Sequence, residues 1–461
     1  MSESVQHPDK SGVEEHPSRE AQSSGTVTRY QSLALLGSSL LAAVSTLVVT
    51  MIAQRALNGS ELTEFLLFWA ALFTVTGIIT GIQPEITRAV GTARTRAVAD
   101  GATSGRVASA EGSAPQGARV VTVTAALGAI AGALVLVSSP LWAGQQIPHS
   151  AAVGVTVMAV GVFLYALQAT MSGVTAGEDR WYLFAAVGGL ESAGRLILML
   201  AAALMIPSLA GIEVATVVTM GLWLILAFVT VSGRRLWVAR ADVPAGRLIT
   251  NILWSFLSSA AAAVLMMGFP NVLKASGAAE SEPVVLGTLI LAISITRSPI
   301  MIPLQAFQGV AVSAFLKQRH RPVAAFIKPA AAVVAVGAAG ALAAYLVGPL
   351  LFRLIYPPAA GAESAYEAAA SGITLGALVF ASALLALMTL SGNMALAVNQ
   401  HRIYLAGWVV AAAVTLSLAF LIPAPLVPRA IVALAVGPVC GFVVHMVGVA
   451  LASRAEEAHA E

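Results

Sequence analysis

Charge is what this sequence lacks most. Asp, Glu, Lys and Arg make up 10% of its 461 residues, against roughly a quarter in a soluble globular domain. A chain this long and this uncharged cannot cover a water-facing surface with polar groups, which excludes a soluble domain of any size. Cysteine is reduced to Cys440 alone, inside an apolar run. That excludes an intramolecular disulfide, and no Cys/His cluster has metal-ligand spacing. Aromatic residues reach only 6%, so helix packing must rely on small side chains. Walker-type phosphate loops, GxSxG and HExxH are all missing, as is a loop pair of acids of the kind a metal-dependent glycosyltransferase needs. Direct use of ATP is therefore not expected. The chain reads as a non-enzyme with no cofactor, no metal and no nucleic-acid partner.

What is abundant is apolar: 58% of residues are hydrophobic and the mean hydropathy is +0.86. A membrane-spanning helix needs about 20 mostly apolar residues. Twelve such runs occur, at 31–53, 62–82, 120–139, 151–174, 182–206, 210–232, 248–269, 284–306, 325–348, 370–391, 404–423 and 429–452. The fold class is thus an all-α polytopic membrane protein. Pro207 and the Pro423, Pro425, Pro428 cluster mark two of the turns. The polar segment 1–30 lacks the pattern of a cleavable signal peptide and reads as a disordered cytoplasmic tail. Residues 453–461 read as a second cytoplasmic tail.

Orientation follows from the loops. Arg88, Arg94, Arg96, Arg106, Arg119, Arg180, Arg234, Arg235, Arg240, Arg247, Lys317, Arg319, Arg321, Lys328, Arg402 and Arg454 fall on one side, with Arg55, Lys274, Arg353 and Arg429 on the other. Lys and Arg accumulate in cytoplasmic loops, so both termini are expected inside. The net charge of +3 is read the same way. Arg234, Arg235 and Lys317–Arg321 fit contact with lipid headgroups.

An internal repeat is also legible. A shift of 222 residues lays the last six runs on the first six. It carries Arg180, Tyr182 and Leu183 onto Arg402, Tyr404 and Leu405, and Gln83 onto Gln305. Six helices per repeat keep the orientation unchanged, which predicts two parallel six-helix bundles, 31–240 and 241–452.

Charges inside the runs are the sharpest chemical signal, since each costs roughly 2.5–3.5 kcal/mol at a helix centre. Glu191 and Arg195 lie in the fifth run, roughly 14 and 20 Å from its inner end at 1.5 Å per residue. At i,i+4 they share a face and can pair. Arg297 lies near the middle of the eighth run without a local partner. One reading is a cationic lining to a cavity between the bundles, where forked guanidinium donors suit phosphate. The other is structural: a neutral Glu191–Arg195 pair, with Arg297 on backbone carbonyls freed by Pro299 and Pro303. Gly188, Gly189 and Gly194 fit either ligand space or tight helix packing. His445 fits a proton relay or a packed, hydrogen-bonded side chain. Glu85 and Glu213, near helix ends, read as interfacial.

These features resemble the multidrug/oligosaccharidyl-lipid/polysaccharide flippase superfamily, and its polysaccharide-transporter branch in particular. The resemblance rests on the twelve runs in two halves, on Leu167-Gln168-Ala169 through Gly177-Glu178-Asp179-Arg180-Trp181-Tyr182, on Glu191 and Arg195, and on Arg297-Ser298-Pro299 through Leu304-Gln305. It implies a transporter that moves polyprenyl-diphosphate-linked oligosaccharide across the bacterial inner membrane by alternating access. Membrane lipids and envelope polysaccharide assembly enzymes are then the expected partners. It further implies substrate binding by Arg297 and Arg195, with Glu191 beside them. The lipid II flippase branch, with extra helices and more cavity arginines, fits less well. A cation- or proton-coupled drug exporter of the same fold is the nearest alternative, and Glu191 is the one deep carboxylate in these runs that such a reading finds. A major-facilitator transporter shares the two parallel halves, but the loop Gly91–Arg96 matches its signature poorly. A non-transporting membrane scaffold of an envelope assembly complex is the alternative of another class.

Overall fold

The computed structural model describes residues 28–103, 117–277, 283–317, 322–358, 363–398 and 400–460. The segment 1–27, Arg106 and 318–321 lie outside the described residues. Among those described, the regular structure is helical; the only strand-like pairing is an isolated bridge between Arg119 and Arg240. In hydrocarbon every backbone polar group must find its partner within the chain, and a helix does this segment by segment.

The longer helices are α1 (Arg29–Ala56), α2 (Gly59–Ile79), α3 (Ile82–Thr103), α4 (Val120–Ser138), α5 (Ala151–Gly177), α6 (Trp181–Met205), α7 (Leu209–Thr219) and α8 (Trp223–Val229). They continue with α9 (Ala245–Ala263), α10 (Phe269–Ala275), α11 (Pro283–Lys317), α12 (Pro322–Ile355), α13 (Glu363–Ala370), α14 (Gly372–Ala397), α15 (His401–Leu421) and α16 (Leu426–Ala460). Twelve spans are long and apolar enough to cross a membrane. Three of these, α2–α3, α7–α8 and α9–α10, are interrupted helices. The protein is a multi-pass membrane protein.

Several ends differ from the sequence expectation for local reasons. The second run does not stop at 82: α3 continues it as a polar helix, making one span of Gly59–Ala97. Residues 453–460 continue α16 as helix. Capping sets other ends as the sequence allows. Thr28 with Gln31 and Asn58 with Glu61 form capping boxes, and Ser208 and Ser371 cap α7 and α14.

The repeat is present in the fold, but in a different register. Arg180 caps α6 at φ −92° and ψ 59°, and Gln400 caps α15 at φ −90° and ψ 60°. Arg180 N donates to Thr175 O, as Gln400 N donates to Ala395 O. The backbone therefore equates residue 180 with 400, not with Arg402. The string match at 222 was two residues out of phase with the chain's own geometry.

Helices α4 and α5, and α1 and α6, pair within the first half; α12 and α14, and α15 and α16, pair within the second. Small residues make these approaches possible. A Cβ on Gly132 would stand 2.8 Å from the carbonyl oxygen of Ala159, and one on Gly188 would meet Ser38 at 3.1 Å. His445 belongs to the same packing. It is buried, with Nδ1 2.9 Å from Ser391 Oγ and Nε2 3.0 Å from Tyr404 O.

The two halves meet along α2, which lies against α9, α10 and α11. Gly81, in the turn after α2, comes up against the backbone of α9. An added Cβ would sit 2.8 Å from the backbone carbonyl of Ser255, whereas one on Gly37 would meet nothing within 4 Å. Overpacking of this kind costs about 1–3 kcal/mol. Gly81→Ala is expected to lower the melting temperature of the purified protein, with Gly37→Ala unchanged; equal melting of the two would place the contact elsewhere.

Candidate functional site

The largest cavity described has a volume of about 700 Å³ and lies between the halves. Its walls come from α1 (Leu36 to Thr50), α2 (Leu66 to Phe73), the α9–α10 junction (Met266, Met267, Pro270) and α11 (Ile290 to Met301). It is mostly apolar. Two hydrogen bonds join α1 to the chain after α12 at the end away from the arginine-rich loops: Thr50 Oγ1, from the lining, to Tyr356 Oη at 2.7 Å, and Gln54 Nε2 to Pro357 O at 2.6 Å. Toward the arginine-rich end, the lining residues Leu36 and Leu40 are exposed.

Arg297 stands in this wall. Its Nη1 donates to Met266 O, while the buried Nε has no hydrogen-bond partner. Among the described residues no carboxylate lies within ion-pair distance of it. The acceptor is not a carbonyl released by Pro299 or Pro303, which lie inside the continuous helix α11. It is supplied by a π-helical turn, Val264–Gly268, between α9 and α10. Such a turn breaks the regular i→i−4 ladder and is frequent at functional sites.

Glu191 and Arg195 pair with each other on α6, and neither lines the cavity. Glu191 also accepts from Gln168 Nε2 of α5 at 2.5 Å. The Arg195 guanidinium lies 5.5 Å from the centre of the Trp69 ring and 5.3 Å from that of Phe73. Both rings do line the cavity. The pair thus sits one layer back, holding an aromatic wall from behind. Gly194 serves packing, since a Cβ there would overlap Leu222.

The turn after α5 is held by charge. Arg180 bonds Glu178 and Ser232, and Asp179, at φ 58°, pairs with Arg94 at 2.9 Å. Glu85 and Glu213 do stand near helix ends, as expected, but both are covered by protein. Glu85 is buried between Arg88 and Asn251, and Glu213 is 0% exposed. Glu64, which the sequence reading passed over, is 4% exposed. The 142–150 turn folds over both of these last two ends, which is invisible to a reading by distance from the helix terminus.

No family model matches the chain. It is 31% identical over 422 residues to the uncharacterized protein Rv1510 of Mycobacterium tuberculosis, covering 91% of each chain. It is 32% identical over 434 residues to the uncharacterized protein Rv3630 of the same organism, covering 93% of this chain and 94% of that one. Among solved structures it is similar to an inward-facing multidrug resistance MATE family transporter of the MOP superfamily, with a TM-score of 0.67, 14% identity and coverage of 91% and 98%. It is also similar to the lipid II flippase MurJ in an inward closed conformation, with a TM-score of 0.66, 8% identity and coverage of 92% and 87%. The chain therefore belongs to the family of the mycobacterial proteins Rv1510 and Rv3630, and its fold is that of the MOP superfamily, as the sequence resemblance led one to expect.

Proposed function

We propose that this protein is a transporter of the polysaccharide-transporter branch of that superfamily, which flips polyprenyl-diphosphate-linked oligosaccharide across the bacterial cytoplasmic membrane. The observation that carries the reading is Arg297: a half-buried side chain on the cavity wall whose buried Nε has no hydrogen-bond partner, with no carboxylate partner among the described residues. A buried cation left with a spare donor is costly unless an anion completes it. A diphosphate offers the oxygens that a guanidinium fork suits.

In this reading the arginine-rich end faces the cytoplasm and the halves 31–240 and 241–452 rock against each other along α2. The apolar lining accommodates the non-ionic part of the substrate, with Trp69 and Phe73 backed by Arg195 and Glu191. Membrane lipids and envelope polysaccharide assembly enzymes are the partners.

A cation-coupled drug exporter of the same fold is the second reading, favoured by the likeness to MATE transporters. Against it, Glu191 is neutralised by Arg195 and withdrawn from the cavity. The test is purified protein in liposomes, measuring leaflet transfer of a polyprenyl-diphosphate oligosaccharide beside efflux of a cationic dye. Saccharide transfer is expected. Dye efflux that needs Glu191, without saccharide transfer, would move the protein to the exporter reading. Neither activity would favour a membrane scaffold.

A further inference from the structure

A second polar site lies in the first half, apart from the cavity. Glu64 on α2 and Glu213 on α7 meet across Ser150, the last residue of the turn before α5. Ser150 Oγ is 2.7 Å from Glu213 Oε1 and 3.2 Å from Glu64 Oε1, and Ser150 N donates to the same Glu64 oxygen at 2.8 Å. His149 Nδ1 is 2.8 Å from Glu64 Oε2, and its side chain is 71% exposed. Glu213 Oε2 is buried with no hydrogen-bond partner at all.

Two facts of valence and charge follow. A serine hydroxyl has one hydrogen, so it can donate to only one of the two carboxylates it touches. Its second contact is a hydrogen bond only if the other carboxyl group brings its own proton. The site also lacks a compensating cation. Among the described residues no Lys or Arg lies within ion-pair distance of Glu64 or Glu213, and His149 reaches Glu64 alone. The surroundings add none. Near Glu213, α5 presents Gly154, and its span from Ala151 to Gly177 has no charged residue. On α6, Met199 takes the Thr216 hydroxyl, and the helix's charges, Glu191 and Arg195, stand ten or more residues from the end that leads into α7, about 15 Å or more. On α2, Glu61 is engaged with the Asn58 cap. Two adjacent buried carboxylates cannot both remain ionised in such a place.

We propose that Glu64, Ser150 and Glu213 form a proton-binding site that holds one proton between its two carboxylates and exchanges it with water through His149. The orphaned oxygen singles out Glu213 as the resting position: with the proton on Oε1, facing Ser150, Oε2 is a neutral carbonyl oxygen, which costs less to leave without a donor than an oxygen of a carboxylate. Transfer balances without any other reagent. A proton that His149 gives to Glu64 Oε2 is brought to Ser150 by rotation of the carboxyl group, and is handed on as Ser150 Oγ accepts it and gives its own hydrogen to Glu213 Oε1. The two carboxylates trade one proton and the serine is unchanged. The occupied site bears on the cavity through α2, since Glu64 lies less than two turns before Trp69.

Infrared spectroscopy of the purified protein at neutral pH tests this directly and does not depend on what the protein transports. The expected result is the carbonyl stretch of one protonated carboxyl group, lost in Glu213→Gln, displaced in Glu213→Asp and retained in Glu191→Gln. Replacing choline by sodium in the buffer is expected to leave the band unchanged, and His149→Ala to slow its response to a change from water to D₂O. Absence of the band from the wild-type spectrum overturns the proposal without any variant. So does its survival in Glu213→Gln. Its disappearance on adding sodium would make this a cation site instead.

Discussion

Arg297→Ala is expected to abolish leaflet transfer of the lipid-linked saccharide while the protein still inserts and accumulates normally. Removing a buried, hydrogen-bonded charge partner costs about 2–5 kcal/mol in binding, which is thirtyfold or more in affinity. Stability should move the other way. The side chain is half-buried, with one backbone acceptor and a buried Nε that has no partner, and an uncompensated charge at helix mid-depth costs roughly 2.5–3.5 kcal/mol. Truncation removes that cost, so the melting temperature should stay level or rise as transport disappears. Arg297→Lys is the sharper variant. It keeps the charge and loses the forked, planar donor set, and should retain only part of the transport. Normal transport by the alanine variant would end the diphosphate role of Arg297. Lost transport together with lost stability would make Arg297 a structural residue holding the π-turn.

How much of this was legible beforehand depended on whether the cause was local. The spans were readable because hydrocarbon imposes a run of apolar residues on each helix, and Pro207 and Pro423 each stand just beyond the end of one. Arg297 was readable for the same reason: a guanidinium in the middle of an apolar run is an anomaly in one dimension. Its acceptor was not. The carbonyl of Met266 is offered by a π-helical turn in a different helix, and nothing in the string Val264–Gly268 announces that turn. The repeat register failed in an instructive way. Arg180 and Arg402 match as letters, but the backbone equates Arg180 with Gln400, since the two share their φ and ψ and the same main-chain bond, to Thr175 O and to Ala395 O. Glu64 was passed over, and Glu213 was taken to be within reach of water because depth was counted along the helix, while both are covered by Ser150 and the turn that carries it. Glu191 and Arg195 were placed correctly on one face. Only the fold reveals that two aromatic rings stand between Arg195 and the cavity.

That last arrangement sets the second large effect. Glu191→Ala is expected to destabilise the protein by about 3–5 kcal/mol, the usual cost of leaving one member of a buried ion pair alone. Arg195 is 5% exposed, and its Nε already lacks a partner. Without Glu191 its remaining support is the two ring faces, worth about 2 kcal/mol when desolvated. Gln168, which donates to Glu191, would lose its acceptor as well. The double variant Glu191→Gln with Arg195→Met should recover most of the loss, because replacing a buried pair by neutral groups of similar size is often tolerated. It also keeps a side chain packed behind Trp69 and Phe73. Thermal melts of the two singles and the double form a cycle that isolates the pair, with transport measured on the same samples. A stable double variant that still transports would assign the pair to holding the wall. A stable double variant that no longer transports would show that the charge of Arg195 is felt through the rings by whatever occupies the cavity, and would bring Arg195 back beside Arg297 as a second anchor for the diphosphate.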